Sequence, residues 1–436
     1  MHKIPKRETW SSHWIFILAC IGSAVGLGNI WRFPYITGLH GGGSFILLYI
    51  LAVLLIGIPL LLVELSVGKT LRTSAVGAFK KMLKKYWWFV LFPLGLALTV
   101  LSYYLVVMGW TLTYTFMALG NNYIPFTEAA QTWWLAIGAV VALILVQIVS
   151  RVNIKSGLEK INLYMFPVFL GALALIFLNS FSLEGYSQAI QYLTTIEMSQ
   201  VLEPINMLNA ISQAVFSISI GMVIMLTYGS YMGKKEEIFH SSLAIAGADA
   251  IIALVGAIIV FSVTFTYGIS PSAGPELAFE SLPYAFLSMP YGAAIMFLFF
   301  LLLFSAAMTS AVALGEVLVD NAKMPFGGSR AKGSLLTLGL ILILFIPSAL
   351  SFSPMNLSVA GIPFLEFLDA YVIGEFTPIV IVVSLVAFTW FWKDCKKALA
   401  KNIPAPLVTP VYLMTKYVAP ALIIILQGSQ LAADFF

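Results

Sequence analysis

Two short segments interrupt the apolar character of the chain with glycine and polar residues, and such segments can bind ions and charged ligands. One is Gly22–Asn29, which carries three glycines and an asparagine, and the other is Ser217–Met222. Where a helix unwinds, its freed carbonyl oxygens can hold cations and its N-terminal N–H groups can hold anions. Gly22-x-x-x-Gly26 is also the spacing of close helix packing. Because the two segments form a pair, each beside polar side chains, we favour a binding site.

Acidic and hydroxyl side chains inside apolar runs add oxygen ligands to this picture. Glu64, Asp249, Glu316 and Asp369 fall in such runs, where an unpaired charge is costly, so each needs a partner. Thr309 and Ser310 offer two adjacent hydroxyls, although such residues in membrane helices often bond back to a carbonyl one turn earlier. Carbonyl, hydroxyl and carboxylate oxygens suit a hard monovalent cation. No histidine lies within an apolar run beside a second metal ligand, which argues against a transition metal.

The composition indicates that lipid, rather than water, surrounds most of the chain. It is 60% hydrophobic and 10% charged, with mean hydropathy +0.97, whereas soluble domains carry about 25% charged residues. The formal net charge of +4 gives no reason to expect a nucleic-acid partner, and two cysteines provide no disulfide framework. An intramembrane enzyme would need a nucleophile–base pair or a metal motif such as His-Glu-x-x-His, and neither occurs. A channel would need a continuous polar stripe, whereas here the polar residues cluster at one depth.

Apolar runs long enough to cross a bilayer, about 20 residues each, recur along the whole chain. Eleven lie near 13–37, 43–67, 87–119, 132–149, 158–180, 206–231, 241–268, 286–320, 333–350, 364–392 and 408–433. With a cytoplasmic N-terminus, all Lys and Arg except Arg32 and Lys416 fall on the cytoplasmic side. We therefore predict an all-α, multi-pass membrane protein with one transmembrane domain, residues 1–436, and its C-terminus outside. The first apolar run is predicted to be a retained span rather than a cleaved signal.

Four groups of residues in chain order carry a resemblance to a known family. They are Gly22–Phe33 (GSAVGLGNIWRF), Tyr103-Tyr104, the run from Gln213 through Phe216 to Gly221, and Thr309-Ser310. The chain resembles the neurotransmitter:sodium symporter family, and most of all its bacterial amino-acid members with eleven spans. The resemblance implies two inverted five-helix repeats, at about 13–180 and 206–392, with spans 1 and 6 unwound, and one extra span at about 408–433. It also implies the bacterial cell (inner) membrane.

The resemblance implies two sodium ions and an amino-acid substrate, placed residue by residue. Sodium 1 would be held by Ala24, Asn29, Ser217 and Asp249, together with the substrate carboxylate. Sodium 2 would be held by Gly22, Val25, Ala306, Thr309 and Ser310. The substrate would contact Ala24, Leu27, Gly28, Val100, Tyr104, Phe216, Ser217, Ser219, Met222, Ser310 and Leu314. We expect the bilayer as surroundings and no obligate protein partner.

Gates are implied on both sides of the substrate. Outside, Arg32 and Asp369 would form a charged pair above Phe216 and Tyr104. Inside, Arg7, Trp10 and Tyr231 match the family's gate residues. The sequence departs from the family pattern at Met324, where the family keeps an aspartate to pair with Arg7, while Asp320 lies four residues earlier. Either Asp320 takes over that role one helical turn away, or the inner gate is weaker.

Three positions bear on the cargo. Gly26 stands where the family's amine transporters place an aspartate, so the substrate should supply its own carboxylate and be an amino acid. Asp249 stands where chloride-dependent members have asparagine, and Ala253 offers no chloride ligand, so we expect chloride independence and an acid that would permit proton countertransport. By the resemblance, Met222 would face Ser219, Val100 and Leu314, which favours a large hydrophobic or aromatic side chain. The alternatives are a small aliphatic amino-acid transporter and a non-transporting amino-acid sensor on the same scaffold.

Overall fold

The structure, a computed structural model, describes residues 7–120, 122–233, 236–272 and 277–435, and these are almost entirely helical. The helices of the first half of the chain are α1 His13–Ala24, α2 Phe33–Leu39, α3 Gly43–Ala52, α4 Ile58–Leu71, α5 Ala75–Leu83, α6 Leu91–Leu119, α7 Phe126–Ala129, α8 Trp134–Arg151, α9 Leu158–Ser180, α10 Tyr186–Thr194 and α11 Met198–Val201.

The second half continues in the same all-helical manner, apart from one small hairpin. Its helices are α12 Pro204–Ser217, α13 Ile224–Ser230, α14 Ile238–Thr266, α15 Ser281–Leu287, α16 Gly292–Ala322, α17 Arg330–Ser351, α18 Phe364–Leu368, α19 Thr377–Val386, α20 Cys395–Ala400, α21 Ala405–Leu413 and α22 Ala419–Phe435. The antiparallel strands β1 Ser358–Val359 and β2 Ile362–Pro363 form the hairpin before α18.

Short π-helical and 3-10 turns link several of these helices into longer spans. The π-turns are Gly28–Arg32, Val53–Gly57, Asp369–Phe376, Ala387–Phe391 and Met414–Val418, and the 3-10 turns are Lys84–Val90 and Met324–Phe326. Among the described residues, nine helices are long and apolar enough to cross a membrane, or ten if α1 and the segment Gly28–Leu39, bent by 45°, count as one span. Eleven spans and the inverted repeats remain predictions.

The two helix breaks lie where the sequence predicted them. α1 ends at Ala24 because Val25 turns to an extended conformation, with φ −77° and ψ 105°. α12 ends at Ser217 and α13 begins at Ile224, and the segment between them has positive φ at Ser219 and Gly221. Neither α12 nor α13 is long enough to cross a membrane by itself.

α16 is the central helix of the bundle and determines where the breaks meet. It packs against α6, α9, α8 and α17, and also against α1. α16 is strongly apolar, and most of its residues are buried inside the protein rather than exposed on its surface. The helices on the outside, such as α8 and α9, bury one face and expose the other. The break in α1 is therefore held against the interior helix α16.

Candidate functional site

The two breaks and α16 enclose a small cavity at the centre of the bundle. Its volume is about 20 Å³, and it is lined by Ser23, Ala24, Gly26, Gly28, Val100, Tyr104, Phe216, Ser217, Ser219, Met222, Ile224, Ser310 and Leu314. All of the predicted substrate contacts except Leu27 are in this lining. Leu27 is adjacent, because its N–H donates to the Tyr104 hydroxyl at 3.1 Å. A space of this size holds about one water molecule. The side chains that line the cavity must therefore move before a larger ligand can bind.

Ser23 joins the two breaks and was not among the residues singled out from the sequence. Its carbonyl oxygen accepts a hydrogen bond from the Ser219 hydroxyl at 2.7 Å and from the Ser310 hydroxyl at 3.0 Å. Three separate spans therefore meet at one carbonyl. The sequence did contain a signal, since Ser23 lies within the glycine-bearing segment. Ile224, the other lining residue that was missed, is an ordinary apolar residue with no such signal.

Asp249 is the centre of the first predicted ion site. This carboxylate in α14 is fully buried, and it accepts hydrogen bonds from Ser217 Oγ at 2.8 and 2.9 Å and from Asn29 Nδ2 at 2.7 Å. The Tyr49 hydroxyl donates to it at 3.0 Å. Within the described parts of the chain, no Lys, Arg or His side chain lies within 4.0 Å of it. A buried carboxylate with only neutral donors lacks a compensating charge, and a bound cation would supply one.

The structure brings Asn29, Ser217 and Asp249 together across three helical segments. Asn29 Oδ1 accepts the Gly26 N–H at 3.0 Å, so this side chain also stabilises the turn in the first break. Ala24, the remaining predicted sodium 1 ligand, is the last residue of α1 and lines the cavity. Tyr49 was missed because it lies in an apolar run of the second span, where nothing in the sequence distinguishes it from core packing.

The residues predicted to hold a second sodium also lie side by side. Thr309 Oγ1 donates to the Ala306 carbonyl at 2.9 Å, which is the local bond that hydroxyls in membrane helices commonly make. Ser310 Oγ lies 3.5 Å from the Val25 carbonyl. A methyl group on Gly22 would lie 3.5 Å from Thr309 Cβ, so α1 and α16 are in contact here. These contacts bring carbonyl- and hydroxyl-bearing residues of the two helices close to one another.

The chain is similar to several known sodium-dependent transporters. The family model described as the sodium:neurotransmitter symporter family matches residues 7–138 and 129–433. The chain belongs to the sodium:neurotransmitter symporter family. A sodium-dependent transporter of Haemophilus influenzae is 29% identical over 98% of both chains, and the sodium-dependent transporter YhdH of Bacillus subtilis is 31% identical over 86% of this chain and 85% of its own length. The crystal structure of MhsT in complex with L-phenylalanine matches with a TM-score of 0.89 and 32% identity, covering 97% of this chain and 99% of MhsT.

Membership of this symporter family confirms the resemblance stated from the sequence, and it makes the protein a multi-pass membrane transporter rather than a member of an enzyme family. The two residues of the predicted outer gate, Arg32 and Asp369, both line a second cavity of about 440 Å³. The two side chains do not form an ion pair within 4.0 Å. Arg32 instead donates to Gln213 Oε1 and lies 5.7 Å from the Phe216 ring, while Asp369 accepts from the Tyr103 hydroxyl at 3.1 Å.

At the predicted inner gate, Arg7 pairs with Asp320, which is the first of the two alternatives left open by the sequence. Arg7 makes a two-pronged contact with the Asp320 carboxylate at 2.7 and 2.8 Å, and Met324 is exposed. Arg7 also contacts Ser230 Oγ and lies 4.4 Å from the Tyr231 ring centre. Burial alone would lower the pKa of Arg7, but neighbouring Tyr231 and Asp320 raise it above its usual value. The guanidinium is therefore a fixed charge.

Further hydrogen bonds and ion pairs surround the segment before α1, and most of them were not predicted from the sequence. Trp10, which was predicted, donates its indole N–H to the Tyr228 carbonyl at 3.1 Å. Lys323 lies 2.9 Å from Asp320, so two cations share that carboxylate. Arg330 contacts Glu316 at 2.5 Å and Glu8 at 3.5 Å. Glu316 in turn accepts from the Tyr231 hydroxyl at 2.7 Å, which gives this acid of span 8 its partners.

Proposed function

We propose that the protein is a sodium-coupled symporter that imports an amino acid by alternating access. The observation that carries the proposal is the fully buried Asp249 carboxylate, which has only neutral donors and lies beside two helix breaks. A sodium ion there neutralises the acid. Family membership and the similarity to MhsT, whose structure was solved with L-phenylalanine, support an amino-acid substrate.

The proposed coupling follows from the arrangement of the ligands. A substrate carboxylate beside Asn29 and Ser217 would complete the shell of sodium 1, so that each ligand raises the affinity of the other by the same factor. The Leu27 N–H and the Tyr104 hydroxyl, 3.1 Å apart, would both bind that carboxylate. A second sodium, held by Gly22, Val25, Ala306, Thr309 and Ser310, would bind between α1 and α16. Each ion moved down the membrane potential contributes about 2.3 kcal/mol per 100 mV.

The proposed substrate is a large hydrophobic or aromatic amino acid. The apolar part of the cavity is formed by Val100, Phe216, Met222 and Leu314, and Met222 is the most flexible of them. Gly26 supplies no carboxylate to pair with the amine of a monoamine substrate. This favours a substrate that brings its own carboxylate, as an amino acid does. Movement of Met222 and Phe216 would be needed to admit such a side chain.

Chloride independence, the topology and the location belong to the same proposal. Asp249 supplies a fixed negative charge beside sodium 1, which is the charge that chloride would otherwise bring. The basic residues support a cytoplasmic N-terminus, an outside C-terminus and eleven spans. The similarity to bacterial transporters supports a location in the inner membrane of a bacterium. Arg32 and Asp369 would close the outer side over Phe216 and Tyr104, and Arg7, Trp10 and Tyr231 would close the inner side.

The test is uptake of radiolabelled amino acids by the purified protein in liposomes, with an inward sodium gradient. We expect accumulation of a large hydrophobic amino acid that requires sodium and is unchanged when chloride is replaced by gluconate. Asp249→Asn should abolish sodium-dependent uptake, whereas the matched change at an exposed acid, Glu237→Gln, should leave it intact. Binding without accumulation would instead favour a sensor, and loss of uptake in gluconate would refute chloride independence.

A further inference from the structure

An unusual lysine lies inside the last predicted span, on the surface that faces lipid. Lys416 belongs to the π-turn Met414–Val418, between α21 and α22. Its neighbours Trp390 and Tyr417 are 54% and 48% exposed, so the surface around it is open to the surroundings. Amphipathic aromatic side chains of this kind favour the boundary between headgroups and acyl chains. Because Trp390 lies near the end of the preceding predicted span and a lysine side chain can extend toward the headgroups, we place the Lys416 ammonium group at the cytoplasmic membrane interface.

Aromatic rings hold the Lys416 ammonium group in place. Its Nζ lies 5.0 Å from the Trp390 ring centre, 5.2 Å from that of Tyr412 and 5.4 Å from that of Tyr417. The ammonium donates to the Tyr412 hydroxyl at 3.1 Å, and the Trp390 indole N–H donates to the Lys416 carbonyl at 2.9 Å. The rings orient the cation by cation–π attraction without neutralising it.

A second lysine shares one of these rings. Lys396 Nζ lies 5.9 Å from the Tyr412 ring centre, so together with the 5.2 Å from Lys416 the two ammonium groups are at most about 11 Å apart. Within the described residues, neither lysine has a carboxylate within 4.0 Å. Asp394, the acid of this region, pairs with Lys397 at 3.2 Å. Residues 389–417 contain five lysines and one aspartate, an excess equal to the formal net charge of the whole chain, +4.

We propose that Lys396 and Lys416, with Trp390, Tyr412 and Tyr417, form a binding site for the headgroup of an anionic phospholipid. The phosphate would bind beside the two ammonium groups, neither of which has a carboxylate partner, at the bilayer surface, where basic clusters attract anionic lipids. Exposed apolar side chains continue from the site along the last span, including Leu413, Val418 and Leu422, and the acyl chains would cover them. A soluble phosphate would leave these side chains uncovered, so the geometry favours a lipid. The site is distinct from the transport pathway.

The test compares lipids that differ only in headgroup charge. The full-length protein is placed in nanodiscs of phosphatidylcholine with increasing phosphatidylglycerol, and bound lipid is counted by native mass spectrometry while Tm is recorded. We expect phosphatidylglycerol to bind and to raise Tm. The double variant Lys396→Met/Lys416→Met should weaken binding by about 30-fold, at the usual strength of two interfacial lysines. The charge-keeping variant Lys396→Arg/Lys416→Arg should retain most of it.

A control with the same loss of charge separates a specific site from general attraction. Lys155, in the connection before α9, and Lys160, in the first turn of α9, are exposed and lie outside the lysine–aromatic site. Lys155→Met/Lys160→Met should leave phosphatidylglycerol binding close to that of the unchanged protein. Equal losses in the two double variants would overturn the proposal. Stabilisation by inorganic phosphate as large as that by phosphatidylglycerol would overturn the assignment to a lipid.

Discussion

Replacing Arg7 should open the proposed inner gate less than replacing Asp320 does. The reason is that the Asp320 carboxylate has a second cationic partner, Lys323. Arg7 and Lys323 lie 2.7 and 2.9 Å from Asp320, and all three side chains are largely buried. Breaking a buried pair by removing one partner costs about 3–5 kcal/mol. In Arg7→Gln, Asp320 keeps Lys323, so we expect the closed inner side to lose about 1–2 kcal/mol, between the values for a neutral and a charged hydrogen bond. In Asp320→Asn, both cations lose their partner, and we expect about 3 kcal/mol.

These energies translate into populations of the open inner side. Since about 1.4 kcal/mol is a factor of ten, Arg7→Gln should raise the open fraction about 5- to 30-fold and Asp320→Asn about 100-fold or more. Lys323→Met alone should have a small effect. Arg7→Gln/Lys323→Met should exceed the sum of the single changes, because Asp320 is then buried without a cation.

Hydrogen–deuterium exchange of the segment from Arg7 to α1 measures this opening in detergent micelles without a substrate gradient. The control is Lys397→Met, which breaks the exposed pair with Asp394 at 3.2 Å and should leave the exchange unchanged. Strict additivity of Arg7→Gln and Lys323→Met would refute the shared-carboxylate reasoning. An Arg7→Gln variant that exchanges as fast as Asp320→Asn would refute it as well.

Three further predictions concern the central site. Gly26→Ala should weaken substrate binding at least about tenfold, because the new methyl group would lie 2.6 Å from Ser310 Oγ and 2.8 Å from the Tyr104 hydroxyl; Gly95→Ala, which meets nothing within 4 Å, is the control in the same binding assay. Met222→Phe should fill the cavity and shift the uptake ratio of aromatic to small aliphatic amino acids downward, and an unchanged ratio would count against the assigned pocket. Ser217→Ala removes the hydroxyl that contacts both Asp249 oxygens and should lower sodium affinity about tenfold in a titration of uptake against sodium.

The helix breaks and their polar lining could be predicted from the sequence because the signal is local. Glycine and polar residues in an apolar run conflict with a lipid-facing helix wherever they occur. The meeting of Asn29, Ser217 and Asp249 is different, because Asn29 and Asp249 are 220 residues apart along the chain. That contact was expected from the family resemblance, and residue spacing alone would not have produced it.

The residues that the sequence did not reveal are those whose role depends on a distant partner. Tyr49 and Arg330 look like a core aromatic and a cytoplasmic cation until the fold places them against Asp249 and Glu316. At the predicted outer gate, by contrast, the sequence led us to expect a contact that the structure does not contain. Arg32 and Asp369 were expected to pair, yet Gln213 and Tyr103 occupy their hydrogen-bonding groups in this structure. Which of several available partners a long side chain takes is determined by packing and conformational state.

The break in span 6 persists because several distant groups hold it, and this ties it to the break in span 1. Val223 has φ 53°, a left-handed conformation that costs a β-branched residue about 1–2 kcal/mol. The segment is nevertheless fixed, because Glu64 Oε1 accepts the Gly221 N–H at 2.7 Å and the Ser219 hydroxyl donates to the Ser23 carbonyl at 2.7 Å. A ligand that displaces the Ser219–Ser23 bond would therefore act on both breaks at once. Since α1 and α13 each connect a break to the proposed inner gate, we expect a single hydrogen-bond exchange at the centre to bias that gate.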